Sequence, residues 1–267
     1  MRAKINGTEL FITVAGKEEK PSLILGHSLA TSHEMWGLQT TLFSRHFRVI
    51  NFDMRGHGAS SVPGGAYTID QLADDVVGVA DHLGIDRFHF VGLSIGGLIG
   101  QSLGHRHGAR LDRLVLSSTF TGILGPDAVK MWSERAATVR ANGPGGQIDG
   151  TMARWLSAEF QKSNPQTAQW IRDLIGGTPA NGYAGCADAI RDMQLPAEKL
   201  ATIKAPTLVI AGEQDPGATP AEAAKIAAAI PGATAFVMPG DYHLCNVETP
   251  HLFNETVLAF LLGAKNG

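Results

Sequence analysis

The sequence predicts an α/β domain: a mostly parallel, twisted sheet with helices on both faces and a helical lid inserted in it. Three observations lead there. Short apolar runs alternate with helical patterns through most of the 267 residues, the rhythm of a parallel sheet covered on both sides. That rhythm stops between Phe120 and about Leu200, where strand-like runs give way to helical stretches and loops rich in Gly, Asn and Pro. Finally, an apolar run from Phe88 to Leu93 feeds through Ser94 straight into a glycine-studded helical pattern. That is the strand–turn–helix context a G-x-S-x-G motif requires.

Taken in order, Glu9 to Val14 is a short β-type run after an Asn6-Gly7 turn signal. Leu23 to Gly26 is an apolar strand ending in Gly26-His27-Ser28-Leu29-Ala30, and Phe47 to Phe52 is the next, breaking at the polar loop Asp53 to Ser60. Ile69, Leu72, Val76, Val77, Ala80 and Leu83 share one face of a helix. Thr68 with Gln71 forms its capping box and Gly84 its stop. The Phe88 strand, a helix from Ile95 to about His107 and a strand from Leu111 to Leu116 follow. Helices are expected at 127–141, 147–162, 165–175 and 183–193. The alternation resumes with a strand at Thr207–Ala211, a helix opened by Thr219-Pro220-Ala-Glu222, a strand at Thr234–Met238 and a helix at Pro250–Leu262. The expected division is a core of residues 1–119 and 201–267, with residues 120–200 as a lid over one catalytic unit.

A 44% hydrophobic and 18% charged composition suits a globular protein with a sizeable core. The formal net charge of −3, without a basic run, gives no electrostatic reason to expect nucleic acid or an anionic membrane as partner. Met1 to Thr8 lacks an apolar signal core, and no stretch is long enough to span a bilayer. A soluble, cytoplasmic location is expected. Two cysteines, Cys186 and Cys245, make no disulfide framework. Both read as structural, although Cys245 lies close to His243.

The chemistry centres on Gly92-Leu-Ser94-Ile-Gly96. A turn this sharp strains the serine backbone, and a Cβ at either glycine would crowd the chain. Ser94 is thereby lifted to the carboxyl edge of the sheet, where the Ile95 N–H and the positive end of the new helix face a developing oxyanion. A serine hydroxyl needs a base, and the base a carboxylate. Asp215 and His243 lie in loops at the ends of later strands, in the chain order Ser…Asp…His that such elbows use. Glu213 and Asp241 are rival carboxylates; Asp215 is preferred for its place at the strand-exit turn. Among the 10 histidines, His105 and His107 sit at a helix end where positive charge is favourable. His57 reads as fixing its own loop and His27 as orienting the loop that follows it. With no H-E-x-x-H or comparable run, no metal and no cofactor are expected.

Leu25-Gly-His-Ser-Leu29, Asp53-Met-Arg-Gly-His-Gly-Ala-Ser60, Gly92-Leu-Ser-Ile-Gly96, Gly212-Glu-Gln-Asp215 and His243 together resemble the signature set of the α/β-hydrolases. Within that superfamily the chain is most similar to the 3-oxoadipate enol-lactone hydrolases. That similarity rests also on Tyr67-Thr-Ile-Asp-Gln-Leu72, Gly96-Gly-Leu-Ile-Gly100, Ala205-Pro-Thr-Leu-Val-Ile210 and, in the lid, Trp132-x-x-Arg135, Ala153-Arg-Trp155 and Gly182-Tyr-Ala-Gly-Cys186. The resemblance implies a Ser94–Asp215–His243 triad, oxyanion donors at the N–H groups of Leu29 and Ile95, and opening of a lactone through an acyl-enzyme. One departure is that these lactonases tend to carry Asn-Ser-Leu-Gly where this chain has His27-Ser28-Leu29-Ala30. Ser94 itself argues against the dehalogenases and epoxide hydrolases of this fold, which use aspartate there.

A lactone bearing a side-chain carboxylate needs a cation in the lid. Arg135 and Arg154 are the candidates, with Trp132 and Trp155 as apolar walls. The same triad would serve a general carboxylesterase or aryl-lactone hydrolase, a perhydrolase or cofactor-free haloperoxidase. It would also fit a slow-turnover signalling receptor. The expected partner is a small-molecule lactone or ester.

Overall fold

The computed structural model describes residues 1–263; residues 264–267, the tail of the core segment expected at 201–267, lie outside the described residues. Strands β1 (Arg2–Ile5) and β2 (Thr8–Ala15) form a hairpin whose turn has positive φ at Asn6 (46°) and Gly7 (77°), as a tight two-residue turn requires. Next come β3 (Ser22–Gly26), α1 (Gly37–Phe43), β4 (Arg48–Phe52), α2 (Ile69–His82), β5 (Phe88–Leu93), α3 (Ile95–Arg106) and β6 (Leu111–Ser117). A helical insertion follows: α4 (Pro126–Asn142), α5 (Ile148–Trp155), α6 (Ala158–Ser163), α7 (Pro165–Gly177), α8 (Ala180–Arg191) and α9 (Ala197–Leu200). The chain then returns to the sheet with β7 (Thr207–Gly212), α10 (Pro220–Ala229), β8 (Thr234–Met238), α11 (Cys245–Glu248) and α12 (Pro250–Leu261).

The sheet order is β1-β2-β4-β3-β5-β6-β7-β8. β1, β2 and β4 pair antiparallel, and every other neighbouring pair is parallel. β5 and β7 are buried along their whole length, as central parallel strands covered on both faces must be. From β3 the chain next pairs outward to β4, whereas from β5 it proceeds to β6 on the other side. The topological switch therefore lies between β3 and β5, the place where α/β sheets bind ligands. Gly26 pairs with Gly92 there, so the loop after β3 and Ser94 after β5 leave the sheet side by side.

The capping signals work as chemistry dictates. Thr68 Oγ1 accepts the Gln71 N–H at 3.0 Å, Thr219 Oγ1 accepts that of Glu222 at 3.3 Å, and Gly84 ends α2 at φ 66°. One expectation is corrected. The helix expected over 147–162 is two helices, because Leu156 is extended (φ −138°, ψ 139°) and Ser157 caps α6. The break has a tertiary cause. The Trp155 carbonyl accepts the Leu244 N–H at 3.1 Å and the Ser157 N–H donates to Glu248 at 2.7 Å. Groups a continuous helix would pair internally are spent on the segment that carries His243. The only β-type contact in the insertion among the described residues is a bridge between Gly122 and Leu195, which ties its two ends together. No helix among the described residues is long and apolar enough to cross a membrane.

Candidate active site

Ser94 occupies φ 61°, ψ −116°, between the last residue of β5 and the first of α3. This left-handed backbone costs roughly 1–3 kcal/mol for a residue with a side chain, so the surroundings must enforce it. The Ser94 N–H donates to Ser117 O and its carbonyl accepts Thr119 Oγ1, both at 2.9 Å. A Cβ on Gly92 would lie 2.1 Å from the Gly96 carbonyl oxygen, and one on Gly96 would lie 2.2 Å from that of Gly26. The two motif glycines are demanded by how closely strand, turn and helix approach.

The structure brings Asp215 and His243 together. The His243 Nδ1–H donates to Asp215 Oδ2 at 2.7 Å, while Asp215 Oδ1 accepts the N–H groups of Gly217 at 2.9 Å and Ala218 at 3.0 Å. Burial pushes the Asp215 carboxyl upward, but the facing His243 and the two amides outweigh it and hold the group below the usual range. The rival carboxylates are engaged elsewhere. Glu213 accepts the Gly240 N–H at 2.8 Å and Asp241 accepts from Thr249, its own carboxyl pushed up by burial to about 6. The two loops meet because Gly212 has no side chain, since a Cβ there would lie 2.0 Å from the Tyr242 carbonyl oxygen. Ser94, Asp215 and His243 line one cavity of 610 Å³. Among the described residues no hydrogen bond joins Ser94 Oγ to His243, whose ring pairs with Asp215.

Leu29 and Ile95 line the same cavity, and neither backbone N–H has a protein acceptor among the described residues. The loop that carries Leu29 is held from below by two histidines. His27 Nε2 accepts the Met54 N–H at 3.0 Å, leaving its Nδ1–H for Ser28 O at 2.8 Å. His57 Nε2 accepts the Ala30 N–H at 3.2 Å. His57 thus reaches across to the Leu29 loop instead of only fixing its own turn. It steadies Ala30 at φ 60°, a position where glycine would be at ease.

Both histidines must be neutral to accept. Burial pushes His27 down to about 4, and burial with the adjacent His27 pushes His57 down to about 3. An unfolded chain binds these protons below about 6.5 and the folded one does not. Stability therefore falls as pH drops from about 6.5 towards 4. His33, raised by its hydrogen bond to Asp53, and Asp241, raised by burial to about 6, bind protons more readily in the folded chain and offset part of the loss. The expected result is a Tm lower at pH 5 than at pH 7. In His57→Gln, which keeps an acceptor for Ala30 but does not titrate, the decline is shallower. Thermal scans across this range check it.

The four lid candidates all line the cavity. Trp155 also stacks on the His243 ring, centroids 5.8 Å apart at 19°. The Arg135 guanidinium lies over the Trp132 ring at 4.7 Å. Arg154 donates to Thr151 Oγ1 at 3.3 Å, and burial together with the neighbouring Arg135 lowers it from the ordinary arginine value. Arg140 and Arg191 pair with Asp188 and Arg172 with Asp149. Arg135 and Arg154 have no carboxylate partner among the described residues.

One positioning residue escaped sequence reasoning. Glu248 accepts the Ser157 N–H with Oε1 at 2.7 Å and the Tyr242 N–H with Oε2 at 2.6 Å. It joins the α5–α6 corner to the loop holding His243. The cysteines are not reactive thiols: both are buried, and burial pushes each well above the usual range. Cys245 donates to Tyr242 O at 3.3 Å, and His107 pairs with Asp74 at 2.7 Å near the C-terminus of α3.

The alpha/beta hydrolase fold family matches the chain over residues 21–250. 3-oxoadipate enol-lactonase 2 of Acinetobacter baylyi is 35% identical over 246 residues, covering 92% of this chain and 90% of that protein. An enol-lactonase from Burkholderia xenovorans LB400 superposes with a TM-score of 0.94 at 39% identity, over 98% of this chain and 100% of the other. A thermophilic esterase from Thermogutta terrifontis, solved with malate bound, also reaches 0.94 at 28% identity, covering 98% of each chain. With the elbow, the strand order and these matches in agreement, the chain belongs to the alpha/beta hydrolase fold family.

Proposed function

We propose that this protein is a serine hydrolase that opens a lactone carrying a free carboxylate, with 3-oxoadipate enol-lactone as the substrate to test first. His243 takes the Ser94 proton as Oγ attacks the lactone carbonyl. The oxyanion is met by the N–H groups of Leu29 and Ile95, and Asp215 stabilises the imidazolium. Collapse breaks the ring C–O bond; the released enol oxygen stays tethered to the acyl chain and takes the proton from His243. Water, deprotonated by His243, then cleaves the acyl-enzyme to the open acid. Residues 120–200 act as the lid over a core of residues 1–119 and 201–267, and the lid supplies Trp132 and Trp155 as walls.

The observation that carries the choice of an acidic substrate is the pair Arg135 and Arg154. They are the lid arginines left without a carboxylate among the described residues, and they line the cavity that contains Ser94. Unpaired cations beside a reacting centre favour an anionic group. The relatives named enol-lactonases point the same way. Comparing kcat/KM for 3-oxoadipate enol-lactone, dihydrocoumarin and p-nitrophenyl acetate tests it. The enol-lactone is expected to lead, and Arg135→Ala or Arg154→Ala to cost it roughly 10–100-fold, on the scale of a charged hydrogen bond, with little change for the neutral substrates. Neutral esters preferred by orders of magnitude would sink the acidic-substrate reading while leaving the hydrolase chemistry intact.

A further inference from the structure

Helix α4 lays one stripe along the cavity. Ala128, Met131, Trp132 and Arg135 stand at i, i+3, i+4 and i+7, and all four line it. Seven residues of α-helix span about 10 Å, so the stripe runs from an apolar end to a cationic one. At the cationic end Arg135 and Arg154 line the cavity together with Tyr183, which is buried. At the apolar end Ile123 and Leu124, just before α4, join Met131. There Ile123 is 60% and Met131 41% exposed, which marks this end as the mouth. Large apolar side chains that reach solvent at the rim of a cavity are placed to meet an apolar ligand group. The cavity, at 610 Å³, is also in the range that encloses drug-sized ligands, more than a single-ring lactone acid fills.

We infer that the site also takes monoalkyl esters of short dicarboxylic acids, with the carboxylate at Arg135 and Arg154 and an alkoxy group of about four to six carbons against Ile123, Leu124 and Met131. This rests on the serine-hydrolase reading above and extends it to intermolecular leaving groups. Ser94 Oγ forms a bond to the ester carbonyl carbon and the C–O bond to the alkoxy group breaks. The alkoxide leaves as the alcohol with the proton held by His243. Water then releases the dicarboxylic acid and regenerates Ser94. The carboxylate and the alkoxy tail bind at opposite ends, so the two ends contribute independently.

The test compares kcat/KM for monomethyl, monobutyl and monohexyl adipate and for butyl hexanoate, which lacks the carboxylate. A fully buried methylene contributes roughly fourfold. With partial burial at the mouth, monobutyl adipate is expected to exceed monomethyl adipate at least about tenfold, and to exceed butyl hexanoate by a similar factor. In the double variant Ile123→Ser, Met131→Ser the butyl-to-methyl ratio is expected to fall close to one. In Arg135→Ala that ratio persists while the advantage over butyl hexanoate shrinks. Ratios are taken within each variant, so a general loss of activity cancels. A wild-type enzyme that opens the enol-lactone but shows a butyl-to-methyl ratio below about three overturns this inference alone. So does a ratio that survives in the double variant. Absence of turnover on the lactone and on every ester overturns the hydrolase reading and this inference with it.

Discussion

Ser94→Ala is expected to lower kcat by about 10⁵–10⁶-fold, because the nucleophile of a triad acts as one unit with its base. A residual rate of about 10³–10⁴ over water is expected from the proposed oxyanion donors and from binding. Folding is expected to survive. The backbone bonds from Ser94 to Ser117 and Thr119 do not involve its hydroxyl, so the alanine variant melts near the wild type. Ser94→Gly separates chemistry from strain. It is as inactive as the alanine variant, yet it relieves the φ of 61° and is expected to be more stable by about 1 kcal/mol. Steady-state kinetics and denaturant melts on the two variants check both effects. Near-wild-type turnover in Ser94→Ala would end the nucleophile assignment.

Asp215→Asn is expected to lower kcat by about 10⁴-fold, for a reason written in its hydrogen bonds. Oδ1 accepts two backbone N–H groups and Oδ2 accepts the His243 Nδ1–H. An asparagine has one acceptor oxygen, and two amide donors claim it. Its NH₂ then faces His243 Nδ1 and forces the proton onto Nε2, where a base for Ser94 needs a lone pair. The loss lies in kcat more than in KM, and it eases at high pH if hydroxide replaces the base. A variant with unchanged kcat would place the carboxylate partner of His243 elsewhere.

How much of this was legible in the sequence depended on how local each cause is. The elbow was legible because Gly92, Ser94 and Gly96 form one five-residue motif in which Gly92 makes room for the Gly96 carbonyl, although the neighbour that demands Gly96, the Gly26 carbonyl of β3, is seen only in the fold. The caps at Thr68 and Thr219 were legible for the same reason. Strand β1 and helices α1, α9 and α11 were missed because elements this short show no periodicity. The break at Leu156 and Ser157 was missed because its partners, Leu244 and Glu248, lie about 90 residues away. Glu248 itself carried no motif, since a carboxylate that accepts two backbone amides is recognised only when both amides are in view. His57 was read as serving its own loop, and its acceptor role towards Ala30 depends on a contact 27 residues back. That Arg135 and Arg154 have no carboxylate partner among the described residues likewise emerges only when the carboxylates that pair Arg140, Arg172 and Arg191 are seen.

The central claim is that Ser94 carries the acyl group during turnover, and trapping that group tests it most directly. The enzyme is mixed with p-nitrophenyl acetate, quenched in acid at successive times, and the peptide containing Ser94 is weighed. An acetyl group on Ser94 that rises with the first turnover, decays as substrate is exhausted and is absent from Ser94→Ala is the expected result. Steady turnover with Ser94 unmodified at every time, or with the acyl group on another residue, would contradict the account.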